Sequence, residues 1–304
     1  TYGAAAYLTK TGKVITWGMS NNGGYSHEEF DLQPSTPSYS ISSYQVNVST
    51  DAKSKIVEIV SAYNAFSALK ADGSVVSWGH QSYGGKQNNN NSKIEGLLTS
   101  GVKKLYSNSY AFCAVKNDGT IVCWGHQSYG GNSALNNSGG EPKDIVKIFS
   151  HTYGFIGLKS DKSIVTWGNA ESKIDHVNYG VNGSYNNNTT ALTTLTNILE
   201  VYINSLKKIY IAIKTDGSIV RWGYNTNTYM STDLQDRFNK EGIYTNAPSF
   251  VNAYSSGDGI YPVDASGGVY VISDVNTNYT LWDAVKTDIS GNVTRVVTNG
   301  TSDS

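Results

Sequence analysis

A short phrase ending in Trp-Gly recurs along the chain, and this repeat restricts the fold more than any other sequence feature. In each copy two apolar runs flank a polar turn, as in CAVKNDGTIVCWG, which ends at Gly125. Two apolar runs around a short turn that contains glycine are typical of a β-hairpin. The other copies are AYLTKTGKVITWG, SALKADGSVVSWG, IGLKSDKSIVTWG and IAIKTDGSIVRWG, and a degenerate sixth ends in YTLWDA. The repeat tryptophans are Trp17, Trp78, Trp124, Trp167, Trp222 and Trp282.

The hairpin turns share recurrent residue types that predict their conformation. A three-residue loop with a type I turn followed by a left-handed residue suits Asn117-Asp118-Gly119, because glycine adopts positive φ at no steric cost. Lys162 occupies the glycine position in the fourth copy, so we expect either strain or a changed turn there. The aspartates Asp72, Asp118, Asp161 and Asp216 recur at one turn position, which favours a role in the turns over a shared carboxylate site.

A further apolar run precedes four of the hairpins: IVEIVS, VKKLYS, IVKIFS and ILEVYI. Each repeat is therefore a strand, a loop, a hairpin ending in Trp-Gly, and a polar insert with room for a fourth strand. Both faces of the hairpin strands are apolar, so both faces should be covered. Radially arranged blades of a β-propeller provide that cover, and ring closure leaves no long exposed edge.

These residues resemble the RCC1-like repeat, whose hallmark is a hairpin ending in Trp-Gly followed by a Gly-rich turn that begins with Tyr. The matching pieces include Leu69, Gly73, Trp78 and Gly79 with the turn at 83–85, and the same pattern from Val115 to Gly131. The resemblance covers residues 1–225 well and 260–295 weakly. It implies an all-β propeller fold with six recognisable hairpins and a seventh blade if residues 284–297 form a hairpin. The family's functions are diverse, so the resemblance implies no activity.

We expect residues 1–304 to form a single propeller domain whose first hairpin lacks its preceding strand. The C-terminal segment 284–304 is a candidate for that strand. It could close the ring within its own chain, or it could add to a neighbouring subunit by β-augmentation and build a head-to-tail polymer. The sequence leaves both alternatives open.

The two cysteines lie in the third hairpin, and its predicted register places them opposite each other. With a three-residue loop, Cys113 faces Cys123 at a non-hydrogen-bonded position, where a Cα separation of ~4.5 Å lies within the disulfide range. A cross-strand disulfide is therefore allowed and would indicate an oxidising compartment. The alternative is a pair of small apolar residues in the positions that Ser67 and Ser77 hold one repeat earlier.

The octet WGHQSYGG occurs twice unchanged, ending at Gly85 and at Gly131, and it could be a duplicated site or a recurrent turn. Other copies have Met19, Asn169 and Tyr224 in place of His80 and His126, which favours the turn. The histidines show no metal-ligand spacing; they are His27, His80, His126, His151 and His176. We therefore predict neither a metal site, nor a cofactor site, nor catalytic residues. The single helical pattern is short, at Ser231 to Asn239.

The composition of the chain argues against some classes of binding partner. The formal net charge is -1 and only 15% of residues are charged, so binding to nucleic acid or anionic membrane is not expected. No apolar run is long enough to span a bilayer. Candidate N-glycosylation sites, most of them in inserts between repeats, are Asn47, Asn90, Asn136, Asn182, Asn187, Asn188, Asn278, Asn292 and Asn299.

The sequence therefore favours a non-catalytic structural or interaction protein, extracellular or on a cell or virion surface. Its partners are expected to be proteins, including copies of itself in a filament or coat, with glycans as further candidates. The 22 tyrosines suit a contact surface. The first alternative is a soluble propeller that binds one protein or a carbohydrate. An enzyme, such as a propeller lyase or glycosidase, would need carboxylates or histidines converging at one end of the channel.

Overall fold

The computed structural model describes residues 1–24, 44–46, 55–85, 92–131, 142–168, 195–206, 209–223, 229–230, 249–256, 259–270 and 272–273. These residues form six small antiparallel sheets. In five of them the strand that precedes a hairpin, which we call the leading strand, pairs with the first strand of that hairpin. The two hairpin strands then pair with each other. This is the predicted repeat, and the fold class of an all-β protein built from propeller-type blades is confirmed.

The chain divides into two compact units, residues 1–157 with 166–172, and residues 158–165 with 173–304. The first unit begins with a sheet made of β1 (Ala4–Leu8), β2 (Val14–Gly18) and β3 (Tyr44–Val46). Its next two sheets are β4 (Ile56–Ser61), β5 (Ala65–Lys70) and β6 (Val75–Gly79), then β7 (Val102–Ser107), β8 (Ala111–Lys116) and β9 (Ile121–Gly125). A short helix, α1 (Ser92–Leu97), lies in the insert between those two sheets.

The fourth sheet contains β10 (Ile145–His151), β11 (Gly154–Lys159) and β12 (Ile164–Gly168). The second unit holds the tip of that hairpin and two further sheets. The fifth sheet consists of β13 (Ile198–Asn204), β14 (Ile209–Lys214) and β15 (Ile219–Gly223). The sixth has the order β16-β19-β18-β17, formed by β16 (Tyr229–Met230), β17 (Phe250–Ser256), β18 (Gly259–Asp264) and β19 (Ile272–Ser273).

Three hairpins bury a stacked pair of one phenylalanine and one tryptophan. Phe112 lies opposite Trp124 in the register of β8 and β9, and both side chains are fully buried. Their rings stack with centroids 5.6 Å apart, and Phe66 with Trp78 and Phe155 with Trp167 form equivalent pairs. Aromatic pairs of this kind contribute roughly 0.5–1.5 kcal/mol beyond their buried area.

One hydrogen bond joins each leading strand to the hairpin before it. The N–H of Val102, the first residue of β7, donates to the carbonyl of Gly73 in the preceding turn at 3.0 Å. Four other leading strands repeat this bond, in the pairs Ile56–Gly12, Ile145–Gly119, Ile198–Lys162 and Phe250–Gly217. The turn position predicted from the repeat therefore also anchors the next sheet.

The sixth sheet contains a hairpin, β18 with β19, that the repeat pattern did not predict. The sheet hairpin ends at Ser273, and Ile272 occupies the position that tryptophan holds elsewhere, directly opposite Ile260. Trp282, the seventh blade proposed for 284–297, the segment 284–304 and the helical pattern at Ser231 to Asn239 all lie outside the described residues. None of the described helices is long and apolar enough to cross a bilayer.

Candidate aromatic contact surface

The octet WGHQSYGG folds into an exit turn after each hairpin. Gln81–Tyr83 and Gln127–Tyr129 form single 3-10 turns, and Gly84 and Gly130 end them with φ values of 88° and 96°. The N–H of Gly85 donates to the carbonyl of His80 at 3.0 Å, and the second copy repeats this bond between Gly131 and His126. The recurrence is therefore a recurrence of backbone geometry.

Close contacts explain the four glycines of the two exit turns. A Cβ on Gly131 would lie 2.4 Å from the carbonyl carbon of Gly125, and a Cβ on Gly85 would lie 2.2 Å from that of Gly79. A Cβ on Gly130 would lie 2.7 Å from the ring of Phe155, in the next sheet. Each exit turn thus covers the Phe–Trp pair of the following sheet, which only glycine allows at these positions.

The histidines of the octet are exposed and do not act as a pair. The Nδ1 atom of His80 accepts a hydrogen bond from the N–H of Ser82 at 3.2 Å, within its own turn. His126 makes no such capping bond. In the described ranges, no group of three or more His, Cys, Asp or Glu side chains could hold a metal ion. His27 and His176 lie outside these ranges.

His151 has a different setting at the end of β10. It is buried, and burial lowers the pKa of its imidazole to about 4, so the ring is neutral at physiological pH. Its Nδ1 accepts a hydrogen bond from the N–H of Tyr153 at 3.4 Å. Asn108 holds the equivalent place after β7, where its side chain accepts from Tyr110 and Ala111 and donates to the carbonyl of Tyr129 at 2.7 Å. Both side chains therefore fix the loop between leading strand and hairpin.

Five tyrosine rings contact one another at the end of the sheets that carries these loops and the exit turns. We name this group the tyrosine platform. Its members come from the loops after three leading strands and from the two exit turns: Tyr63, Tyr83, Tyr110, Tyr129 and Tyr153. Tyr110 is central, because its ring lies 4.5 Å from that of Tyr129 and 5.5 Å from those of Tyr63 and Tyr83, centroid to centroid. Tyr153 completes the group at 5.9 Å from Tyr110.

The platform is partly exposed and uncharged. Tyr63 is 47% exposed and the other four rings are half-buried. His80 and His126 border it, with the ring of His126 4.6 Å from that of Tyr129. Burial and the neighbouring phenols raise the pKa of Tyr110, so its hydroxyl keeps its proton at neutral pH. The surface therefore offers stacked ring faces and neutral hydrogen-bonding groups.

The recurrent aspartates are turn residues, as predicted. The carboxylate of Asp118 accepts hydrogen bonds from the Oγ1 and the N–H of Thr120 at 2.7 and 3.0 Å. Asp72, Asp161 and Asp216 do the same with the serine two residues later. These bonds, the one from the side chain first, lower the pKa of all four carboxyls.

The cysteines lie directly opposite each other, so the predicted register of the third hairpin is correct. Their Cα atoms are 4.0 Å apart, and a disulfide joins the sulfur atoms. Both side chains are buried. One repeat earlier Ser77 donates to Ser67 at 3.1 Å across the same position. The nine glycosylation candidates, Asn47, Asn90, Asn136, Asn182, Asn187, Asn188, Asn278, Asn292 and Asn299, lie outside the described residues and stay predictions.

Sequence reasoning did not find the tyrosine platform as a group. A signal was present, because a tyrosine follows three leading strands in SAYN, SNSYA and SHTYG, and another stands in each octet. The clustering depends on how successive sheets stack, which no single repeat encodes.

Comparison with known proteins gives similarity only to solved structures. No family model matches the chain, and no curated protein is significantly similar to it. Prp20p from Saccharomyces cerevisiae, the yeast RCC1, is 14% identical over 90% of this chain and 74% of its own, with a TM-score of 0.48. The CRINKLY WD40 ectodomain of the Arabidopsis thaliana receptor kinase ACR4 is 14% identical, over 89% and 77% of the two chains, with a TM-score of 0.45. At these values the similarities assign neither an activity nor a partner.

Proposed function

We propose that the protein is a non-catalytic binding propeller whose contact surface is the tyrosine platform. The observation that supports this function is the continuous contact of five tyrosine rings drawn from several sheets of one compact unit. The five rings already restrict one another's rotation. A partner that stacks on them therefore costs little further side-chain conformational entropy. Tyrosine is also among the residues that contribute most to binding at protein interfaces.

The partner that fits this surface best is another protein. None of the seven platform and border side chains is an acid, a lysine or an arginine, so long-range charge steering contributes little to association. Tyrosine hydroxyls and ring faces together suit a mixed polar and apolar protein surface. A neutral glycan is the alternative partner for the same groups.

We further propose an oxidising location, extracellular or on a cell or virion surface. The support is the buried Cys113–Cys123 disulfide, since such bonds persist mainly in oxidising compartments. Glycans on the candidate asparagines would fit the same location.

A second candidate function is a structural subunit of a filament or coat. It is favoured by one observation, an edge of β1 that no described strand covers. Such an edge can receive a strand from another chain. This candidate requires the edge to be filled by a second copy of the protein.

The test is a comparison of matched tyrosine variants. Proteins captured from the native extracellular material would be identified with wild type, and each purified partner would then be titrated against Tyr110→Ala, Tyr153→Ala and Tyr7→Ala. Tyr7 is a control because it is 56% exposed and is not a member of the platform. We expect about 30-fold weaker binding for a platform variant, corresponding to about 2 kcal/mol, and unchanged binding for the control.

Equal affinity of wild type and both platform variants for every captured partner would contradict the proposal. So would an equal loss in Tyr7→Ala. Far-UV circular dichroism and thermal melting of each variant would first establish that the fold is retained.

A further inference from the structure

The two ends of the hairpins in the first compact unit differ in charge. Each hairpin runs from a loop at the platform end to its turn and back. The loops and exit turns at the platform end contain no Asp, Glu, Lys or Arg; they are segments 1–3, 18–24, 62–64, 80–85, 108–110, 126–131 and 152–153. The hairpin turns and the residues that precede the leading strands contain six lysines and three aspartates, an excess of three positive charges.

Three of the six lysines have a carboxylate one or two residues away. In the turns of the second and third hairpins, hydrogen bonds from Ser or Thr lower the pKa of the aspartate most, and the nearby lysine lowers it further. The charge of these lysines is thus largely balanced within their own segments. The pairs are Lys70 with Asp72, Lys116 with Asp118, and Lys143 with Asp144.

The remaining three lysines, Lys10, Lys13 and Lys55, surround the first hairpin turn, and we name them the lysine cluster. Lys10 and Lys13 flank Gly12 in that turn. Lys55 precedes the leading strand of the second sheet, and a Cβ on Gly12 would lie 2.7 Å from the Cβ of Lys55. The N–H of Ile56 donates to the carbonyl of Gly12 at 3.1 Å, which fixes Lys55 beside the turn. All three lysines are exposed.

The first turn lacks the aspartate that the other turns contain. Thr11 holds the position of Asp in those turns, and Lys13 holds the position of the Ser or Thr that bonds to it. The Oγ1 of Thr9 accepts a hydrogen bond from the N–H of Lys13 at 2.9 Å and lies 2.9 Å from the Oγ1 of Thr11. Hydroxyl groups therefore replace the carboxylate in this turn.

No carboxylate balances the cluster locally. Among the described residues that precede Glu58, none is acidic. The carboxylate of Glu58 itself accepts a hydrogen bond from the N–H of Leu105, in the next sheet, at 3.3 Å. Three exposed ammonium groups without a carboxylate among them produce a positive potential that attracts anionic ligands.

The composition of the turn indicates which kind of anion it suits. Residues 9–13 are Thr-Lys-Thr-Gly-Lys, so the turn offers charge and hydroxyl groups and no apolar or aromatic side chain. A protein interface gains most of its stability from a desolvated core that contains such side chains. A polysaccharide with sulfate or carboxylate groups needs no such core, and the strongly hydrated ammonium group of lysine suits its hydrated charges.

We propose that the lysine cluster binds a linear anionic polysaccharide, at the opposite end of the hairpins from the tyrosine platform. Each lysine contacts one sulfate or carboxylate group and displaces its counterion, so binding weakens as the salt concentration rises. A nucleic acid also presents a line of anionic groups, and the choice of a polysaccharide over a nucleic acid rests on the oxidising location proposed above. The site does not depend on the tyrosine platform.

The test is binding of the full-length chain to heparin, a sulfated polysaccharide, with dextran as the uncharged reference. Wild type would be titrated beside the triple variant Lys10→Gln, Lys13→Gln, Lys55→Gln, first at about 0.1 M salt and then over a range of salt concentrations. A second variant changes the same three lysines to arginine and keeps their charge. The matched control removes an equal charge from other exposed positions of the unit, with Lys103→Gln, Lys104→Gln and Lys143→Gln.

We expect wild type to bind heparin and not dextran. The glutamine variant of the cluster should bind heparin at least about 30-fold more weakly, and the slope of log affinity against log salt should become about 3 less steep. The arginine variant and the control should stay within about threefold of wild type, since the first keeps the charge of the cluster and the second leaves the cluster intact. Tyr110→Ala, which alters only the platform, should bind heparin as wild type does.

Three results would overturn the site: no binding of heparin by wild type, equal losses in the glutamine variant and the control, or an equal loss in the arginine variant. Tighter binding of wild type to double-stranded DNA or to polyglutamate than to heparin would overturn the assignment to a polysaccharide, in favour of a nucleic acid or an acidic protein segment. None of these results bears on the tyrosine platform, because its own test uses captured proteins and platform variants.

Discussion

Lys162 adopts a backbone conformation that is reserved for glycine in the other hairpins. Its φ is 66°, and glycines at the same turn position, Gly73 and Gly119 among them, have φ values of 80° and 78°. The N–H of Lys162 still donates to the carbonyl of Lys159 at 3.0 Å, as Gly119 does to Lys116. Of the two outcomes expected from the sequence, the structure has the strained one, because the anchoring bond to Ile198 requires the turn to be kept.

Replacement of this lysine should therefore stabilise the protein. We expect Lys162→Gly to raise the free energy of unfolding by about 1 kcal/mol, since left-handed backbone costs a non-glycine residue of that order. Urea denaturation at neutral pH would measure it. Lys13→Gly, at an exposed position next to a turn glycine, is the control and should destabilise slightly. An unchanged or lower stability of Lys162→Gly would contradict the strain.

At the level of elements, the hairpin turns make stability depend on pH. Hydrogen bonds from Ser or Thr hold the pKa of Asp72, Asp118, Asp161 and Asp216 below the ordinary value of 3.8. A carboxyl whose pKa is lower in the folded state stabilises the fold above its unfolded-state pKa. That stabilisation is lost as the pH falls through the folded-state pKa.

We therefore expect the stability of wild type to fall as the pH drops below about 4. A variant with all four aspartates changed to asparagine should be less stable at pH 7 and should show a weaker pH dependence below that point. Denaturant midpoints measured from pH 2 to pH 7 would show both effects. Parallel curves for wild type and variant would contradict the account of the turns.

The third hairpin yields a prediction about its neighbour. Ser67 and Ser77 face each other in the second hairpin as Cys113 and Cys123 do in the third. We expect Ser67→Cys with Ser77→Cys to form a second disulfide on oxidation and to stabilise the protein by about 2 kcal/mol, as a short closed loop allows. Thiol counting under denaturing conditions and unfolding curves would measure this. A control with Ser67→Cys and Val76→Cys, one residue out of register, should stay reduced.

Much of the hairpin could be predicted from sequence because its information is local. The glycine turn, the Asp–Ser bonds and the facing cysteines all depend on residues within one phrase. The hairpin of the sixth sheet was not predicted, because Ile272 fills its tryptophan position and the Trp-Gly marker is missing. The hairpin predicted to end at Trp282 lies outside the described residues and stays a prediction. A usable signal was Asp264-Ala265-Ser266-Gly267, in which Ser266 donates to the carboxylate of Asp264, two positions earlier in the turn than the Asp–Ser bonds of the other hairpins.

At the level of the whole molecule, function is proposed to lie where repeats meet. Tyr110 contacts rings from its own sheet and from neighbouring repeats, such as Tyr83 and Tyr153. These contacts are long-range, so the periodicity of a single phrase could not predict them. The octet could be recognised as a turn because the residues after Trp-Gly vary in the other copies of the repeat. Only the structure shows that this turn covers the Phe–Trp pair of the next sheet.

The recurrent glycines of the octet build the junction between successive sheets, whereas its polar residues are replaceable. The most direct test is denaturant unfolding of two variants of the second octet. Gly131→Ala should lose more than about 2 kcal/mol, because its Cβ would overlap the backbone of Gly125. The triple variant His126→Met, Gln127→Ser, Ser128→Asn copies Met19-Ser20-Asn21 of the first repeat and should stay within about 1 kcal/mol of wild type. A large loss in the triple variant with little effect of Gly131→Ala would contradict the claim.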